Sequence, residues 1–233
     1  MAELPILHSK RAAYDWVERL RTLREAYDRS LVADPERGAA DRRWLDAQLV
    51  HHALLIKGVE PTVEAAAPVA AAVARVREAV AEGLELTPSL LLEINGLVDP
   101  VRGGTLRDGP PVAAYQGHES PPPETLEALL GNAADWFTAP SFLGDFHPVE
   151  QTALAMVRIC DLQPFPSSNE LTARIAAQLF LLREGWPPAI VRSELEADYR
   201  RAILHAMHMD TQPIVDLLAQ SVELTLAGDL ASR

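Results

Sequence analysis

Apolar residues return at every third or fourth position in segment after segment of this chain, and that period commits it to helices. In residues 11–32, Tyr14, Val17, Leu20, Leu23 and Tyr27 form such a stripe among arginines and acids. Residues 42–57 repeat the pattern through Trp44, Leu45, Leu49, His52 and Ile56, with Gly58 placed to cap the end. Between them, residues 33–41, ADPERGAAD, read as a turn. Thr62 is placed to cap a third helix through the alanine-rich stretch to Glu82, which Gly83 closes. Thr87-Pro88 pairs an N-cap with proline at the first helical position of a fourth.

Residues 99–123 break the pattern. They are dense in Gly and Pro, with Val112–Tyr115 as the one short extended segment, and so long a connection is a candidate for function. Helical spacing then resumes at Pro123, in ETLEALLGNAADWF, HPVEQTALAMVRICDL and SNELTARIAAQLFLLREG. Gly185-Trp186-Pro187-Pro188 interrupts it, and helices are expected over 189–207 and about 211–227. No internal repeat is found, and no low-complexity tract apart from the alanine bias.

These 233 residues are 48% apolar and 23% charged, enough to bury a core and too apolar for disorder. The formal net charge of −12, with Lys and Arg scattered, argues against nucleic acid. The most apolar run, Ala65 to Ala74, contains Pro68 and gives way to Arg75, far short of the roughly 20 apolar residues that span a bilayer. Cys160 is the one cysteine and MAELPILHSK lacks the apolar stretch of a secretion signal, so a reducing cytoplasm is expected.

Residues 161–188, DLQPFPSSNELTARIAAQLFLLREGWPP, resemble the core of the Fic (Fido) family, whose motif reads H-P-F-x-D-G-N-G-R-T-x-R before an apolar helix and G-[YW]-P-P. Pro164, Phe165, Asn169, Thr172 and Arg174 match it. Gly104-Thr105-Leu106-Arg107 resembles the family's G-x-x-R segment, Val112, Ala113, Ala114 and Tyr115 its flap strand, and residues 121–136 its P-P helix. His147-Pro148-Val149 opens the helix before the motif, and residues 199–210 resemble the Y-x-x-A-L-x-x-A-x-x-x-D pattern after it. The resemblance implies an all-α fold with a short β-hairpin flap: a Fic-like domain over 85–230 behind a helical extension over 1–84.

The departures fall on the chemistry that the resemblance implies. Family members place a proton-accepting histidine where this chain has Gln163, and a glutamine amide is neutral and cannot act as a base. Ser167 stands for the acid that holds Mg²⁺, which prefers carboxylate oxygens. The glycine-rich phosphate cradle has become Ser168-Asn169-Glu170, and Leu171 stands for a phosphate-neutralising arginine. From the residues alone, 167–170 read as a capping box in which a serine and Glu170 take up the helix's free amides. Many Fic proteins also carry an inhibitory helix, [S/T]-x-x-x-E-[G/N], whose glutamate pairs with the motif's second arginine. The matching stretch is Ala53-x-x-x-Lys57-Gly58, where the acid is replaced by a base.

Other candidates carry less. His118, near Tyr115 in the long loop, could replace the missing base if that loop folds over the cleft. His205-x-x-His208-x-Asp210 has a metal-compatible spacing that recurs by chance, and no metal site is expected. His52 reads as partly buried, and Cys160 as a packing residue. The expected role is a binding or regulatory module holding a protein partner or small ligand, with no cofactor and with ATP and Mg²⁺ disfavoured. A changed transfer reaction and residual AMP transfer are the alternatives, and a homodimer is left open.

Overall fold

The computed structural model describes residues 15–231 apart from 113, 114 and 116. Among them it contains eleven α-helices: α1 Asp15–Ala33, α2 Pro35–Ile56, α3 Val63–Ala81, α4 Pro88–Val98, α5 Leu126–Phe137, α6 Pro140–Asp145, α7 Pro148–Leu162, α8 Asn169–Ala176, α9 Gln178–Arg183, α10 Glu196–Met207 and α11 Gln212–Ala231. Two 3₁₀ turns, Pro123–Thr125 and Ser193–Leu195, precede α5 and α10. The all-α class therefore holds.

Several boundaries follow from the caps legible in sequence. Thr62 accepts a bond from Ala65 N and Thr87 one from Leu90 N, so each supplies an acceptor to an otherwise unpaired first-turn amide. Gly58 and Gly83 end α2 and α3 at φ +76° and +68°, a left-handed conformation that glycine adopts without strain.

Other boundaries differ from expectation. Residues 33–41 do not form a turn: only Asp34 separates α1 from α2, because a proline at a helix's first position gives up no hydrogen bond. The helix expected from 189 begins at Glu196. Ala189 instead donates to Gln178 Oε1 at 2.9 Å and accepts from Gln178 Nε2 at 3.3 Å, while Ser193 N donates to His52 Nδ1. Those bonds take the backbone groups that a helix would need. The helix expected after the motif is broken for one residue, Ala177. No strand forms among the described residues, Val112 and Tyr115 included; Ala113 and Ala114 of the expected flap lie outside them.

α7 is the central element, packed by α5, α8, α9, α10 and α11 and burying Val149, Ala153, Met156, Ile159 and Cys160. Phe137, Phe142 and Phe180 meet beside it with ring centroids 5.5 to 6.0 Å apart. Each such burial is worth roughly 2 to 3 kcal/mol, before any gain from edge-to-face geometry. α1 lies on α11, and α3 on α4 and α9, so the buried core runs without a break from Trp16 to Leu226. This packing brings the C-terminal end of α2 against the start of α8, where the site is.

Candidate functional site

A cavity of about 400 Å³ opens at the start of α8, between the ends of α2, α4 and α7, with Tyr115 and Val112 of the long loop along one side. The segment joining α7 to α8 shapes its floor. Gln163 follows α7 at φ 42°, ψ 57°, and Ser168 precedes α8 at φ 58°. Two non-glycine residues in the left-handed region within six positions cost of order 1 to 3 kcal/mol each, so the surroundings must hold them there.

They do so through backbone bonds. Arg107, only 4% exposed, donates from Nε to Gln163 O at 2.7 Å, from Nη1 to Gly109 O at 2.8 Å and from Nη2 to Pro121 O at 2.5 Å. Its backbone N donates to Pro164 O at 2.9 Å. Asn169 clasps Phe165 from both sides, accepting from its N and donating to its O at 2.8 Å each. Fully buried Asn95 donates to Ser167 O at 3.1 Å and Thr172 Oγ1 at 3.0 Å, and accepts from Gly104 N. Gly103 fits under α4 because a Cβ there would stand 2.3 Å from Asn95 O.

The cleft residues read from sequence divide accordingly. Gln163, Ser167, Ser168, Asn169, Glu170, Leu171 and Arg174 line the cavity with Lys57, whereas Pro164 and Phe165, also expected there, are buried and do not. The capping box expected over 167–170 does not form: Ser168 makes no side-chain cap, and its hydroxyl accepts from Lys57 Nζ at 2.9 Å. The Ser167 hydroxyl donates instead to Asp99. A capping box forms at the start of α7, between His147 and Glu150. Reverting Ser168 to the glycine of the family motif is expected to raise stability by about 0.5 to 1 kcal/mol through relief of left-handed strain, read as a higher urea midpoint. An unchanged or lower midpoint would show that the Lys57 bond outweighs the strain.

His118 does not fold over the cavity. Its Nε2 lies 2.9 Å from Asp161 O and it lines a separate groove with Pro110, Pro111 and Ser120, because the loop turns at Gly117 and returns along α7. At the position of the missing base, the Ser120 hydroxyl donates to Gln163 Oε1 at 2.8 Å. Cys160 is fully buried, its thiol pushed up to about 12 chiefly by burial, with a bond to the Tyr115 hydroxyl. His52 is partly buried, its imidazole held below the usual range by burial. His205 Nδ1 lies 3.1 Å from Asp210 Oδ2, and no group of three His, Cys, Asp or Glu side chains comes together among the described residues.

Asp99, Arg102 and Arg200 on the cavity wall escaped the sequence reading, as did Asn95, which supports the floor from beneath. Asp99 closes α4 and accepts from Val101 N and Arg102 N. Burial works to push its pKa up, but the Ser167 and backbone bonds and the Lys57 charge outweigh that and hold the carboxyl below its usual range. Its only sequence signal was an acid where a helix gives way to a long loop. Lys57 is pulled below the usual lysine range by burial, with Asp99 opposing and Arg174 and Arg102 adding.

Arg174 is 5% exposed, donates from Nη2 to Ala53 O at 3.1 Å and lies over the Tyr199 ring at 5.4 Å. Glu170 is 4.0 Å from it, at the limit of an ion pair. Nε and Nη1 of Arg174 have no hydrogen-bond partner among the described residues.

Residues 85–181 match the Fic/DOC family. The protein adenylyltransferase Fic of Drosophila willistoni is 30% identical over 155 residues, covering 65% of this chain and 30% of that protein. The protein of the same name from Nematostella vectensis is 34% identical over 117 residues, 49% of this chain and 27% of its own length. The chain thus spans about a third of the curated relatives it matches. Among solved structures, a Fic-domain signalling protein from Bacteroides thetaiotaomicron superposes with a TM-score of 0.78 at 17% identity, covering 91% of this chain and 98% of that one. Fic-1 from C. elegans gives 0.78 at 23%, covering 94% and 71%, and IbpAFic2 covalently tethered to Cdc42 gives 0.56 at 20%, covering 76% and 61%.

Proposed function

We propose, from the premise that residues 85–181 belong to the Fic/DOC family, that this chain is a binding or regulatory module which uses the family's cleft without transferring AMP. The observation that carries the reading is the state of Gln163. The family's resemblance implies a histidine base there, whereas this amide is 2% exposed and accepts from the Ser120 hydroxyl. A neutral amide so held can orient a hydroxyl but takes no proton, and general-base catalysis is worth ~10²–10⁴ in rate.

Three further groups support it. The Ser167 hydroxyl is spent on Asp99 where the family holds Mg²⁺ with an acid. Leu171 offers no charge to a phosphate. Glu170 faces the same space, and two like charges near 4 Å cost roughly 1 to 4 kcal/mol, so a triphosphate in the family's pose is opposed. Asp99 does not reverse this, since its carboxylate already holds a hydroxyl and two backbone amides. In place of a nucleotide the cleft would hold a small ligand or a protein partner. IbpAFic2, tethered to Cdc42, is a neighbour of this fold that engages a protein, which lends the second some support.

The test is incubation with an α-labelled ATP and Mg²⁺, alone and with a cell lysate. The expected result is no label on any protein and calorimetric binding of Mg²⁺–ATP weaker than ~1 mM, about −4 kcal/mol. Label transferred above the level of a heat-inactivated sample would overturn the reading.

A further inference from the structure

The cavity's charges do not balance. Lys57, Arg102, Arg174 and Arg200 face Asp99 and Glu170 across it, an excess of cations in a chain whose net charge is −12. Arg200 is neutralised by Glu196, 2.8 Å away, and Asp99 is taken up by the bonds described above. Lys57, Arg102 and Arg174 remain, of which Lys57 and Arg174 meet the cavity at α8. Lys57 donates to the neutral Ser168 hydroxyl, and Arg174 has a single backbone carbonyl, a carboxylate 4.0 Å off and two guanidinium nitrogens without a partner among the described residues. A guanidinium this buried with unmet donors is costly unless an acceptor reaches it.

Which anion fits is decided by the rest of the wall. A phosphate dianion would carry two charges past Glu170 and Asp99, and would find no glycine cradle at Ser168-Asn169-Glu170. A carboxylate carries one charge and accepts from two cations at once, and ~400 Å³ suits a small organic molecule. Ile56, Val112 and Leu171 give its body an apolar surface, with the Tyr115 ring beside them. We infer that the cleft binds a small monocarboxylate with an apolar body, its carboxylate between Lys57 and Arg174, without any divalent cation. This rests on the reading that the cleft no longer turns over nucleotide.

Titration calorimetry with benzoate and hexanoate, in EDTA and in Mg²⁺, tests it, with benzamide and inorganic phosphate as comparison probes. One acid should bind below ~1 mM in both buffers, at least tenfold tighter than benzamide or phosphate. Lys57→Glu should weaken it tenfold or more, and Lys57→Met by less. Lys57 lies just past the end of α2 and outside the hydrophobic core, so both variants are expected to keep the fold, which circular dichroism checks. Binding that requires Mg²⁺, tighter binding of phosphate, an unaffected Lys57→Glu variant, or binding of an acidic peptide with none of free acid would each overturn the inference. None of these outcomes produces labelled protein, so failure here stays distinct from AMP transfer.

Discussion

Arg107→Leu is expected to destabilise the protein by about 3 to 5 kcal/mol, a fall of roughly 10 °C in melting temperature for a chain of this size. The guanidinium spans three carbonyls, of Gln163, Gly109 and Pro121, which belong to three turns of otherwise irregular backbone. Among the described residues no carboxylate pairs with it, and burial pulls its basicity below the usual arginine range. Its role is thus to donate from a fixed planar fork rather than to pair with a charge. Leucine fills part of the volume and leaves three acceptors without that donor.

Arg107→Lys separates the two contributions. It keeps the charge but cannot reach three carbonyls from one nitrogen, so it should recover less than half of the loss. A drop under about 3 °C for Arg107→Leu would mean that water replaces the guanidinium freely. Because Arg107 also sets the backbone of Gln163, the leucine variant should loosen the cavity floor, seen as faster amide exchange at Gln163, Phe165, Ser167 and Ser168 with the core of α7 unchanged.

This arginine shows what a sequence can and cannot disclose about the fold. Gly104-Thr105-Leu106-Arg107 was recognisable as a segment shared with the family, because its spacing to the motif is preserved. That Arg107 faces carbonyls rather than a ligand was not, since a loop's hydrogen bonds follow from the path of the chain and not from any period. The helices were legible for the opposite reason: caps such as Thr62 and Thr87 act within three residues, so they need no tertiary context. The start of α10 misled because Gln178, eleven residues upstream of Ala189, captures that backbone from inside the core.

The site behaved likewise. Gln163, Ser168, Asn169 and Glu170 could be placed at one cleft because they are neighbours in the chain. Asp99, 68 residues before the Ser167 it meets, could not. The capping box failed at 167–170 because a local pattern lost to a long-range one: Ser167 turns to Asp99 and Ser168 to Lys57. Where local chemistry yields to distant partners, the sequence alone misassigns the residue.

His147 carries the second large expectation, a loss of stability in mild acid. It caps α7 by accepting from Val149 N at Nδ1, 3.2 Å away, while its backbone N donates to Glu150 Oε2 at 2.8 Å. The ring stands edge-on to Trp16 and Trp186, at 5.1 and 5.2 Å, and Arg24 lies over Trp186 at 4.5 Å. Burial first, and the Arg24 charge second, lower its pKa from 6.5 to about 4. The folded state therefore holds the neutral ring, and protonation would remove the cap's acceptor. Since the folded value lies below the unfolded one, the contribution is complete above pH 6.5 and is lost as pH falls toward 4. The shift sets a ceiling of about 3 kcal/mol, and partial exposure brings the expected loss to about 2. Carboxylates titrate near the lower end of that window, so the informative quantity is the difference between the native chain and His147→Asn, which keeps a capping oxygen but does not titrate. Urea midpoints between pH 7 and 4.5 should fall more steeply for the native chain, and the two curves should converge toward acid. Parallel curves would show that the imidazole titrates alike in both states, and so contributes no acid sensitivity to this fold.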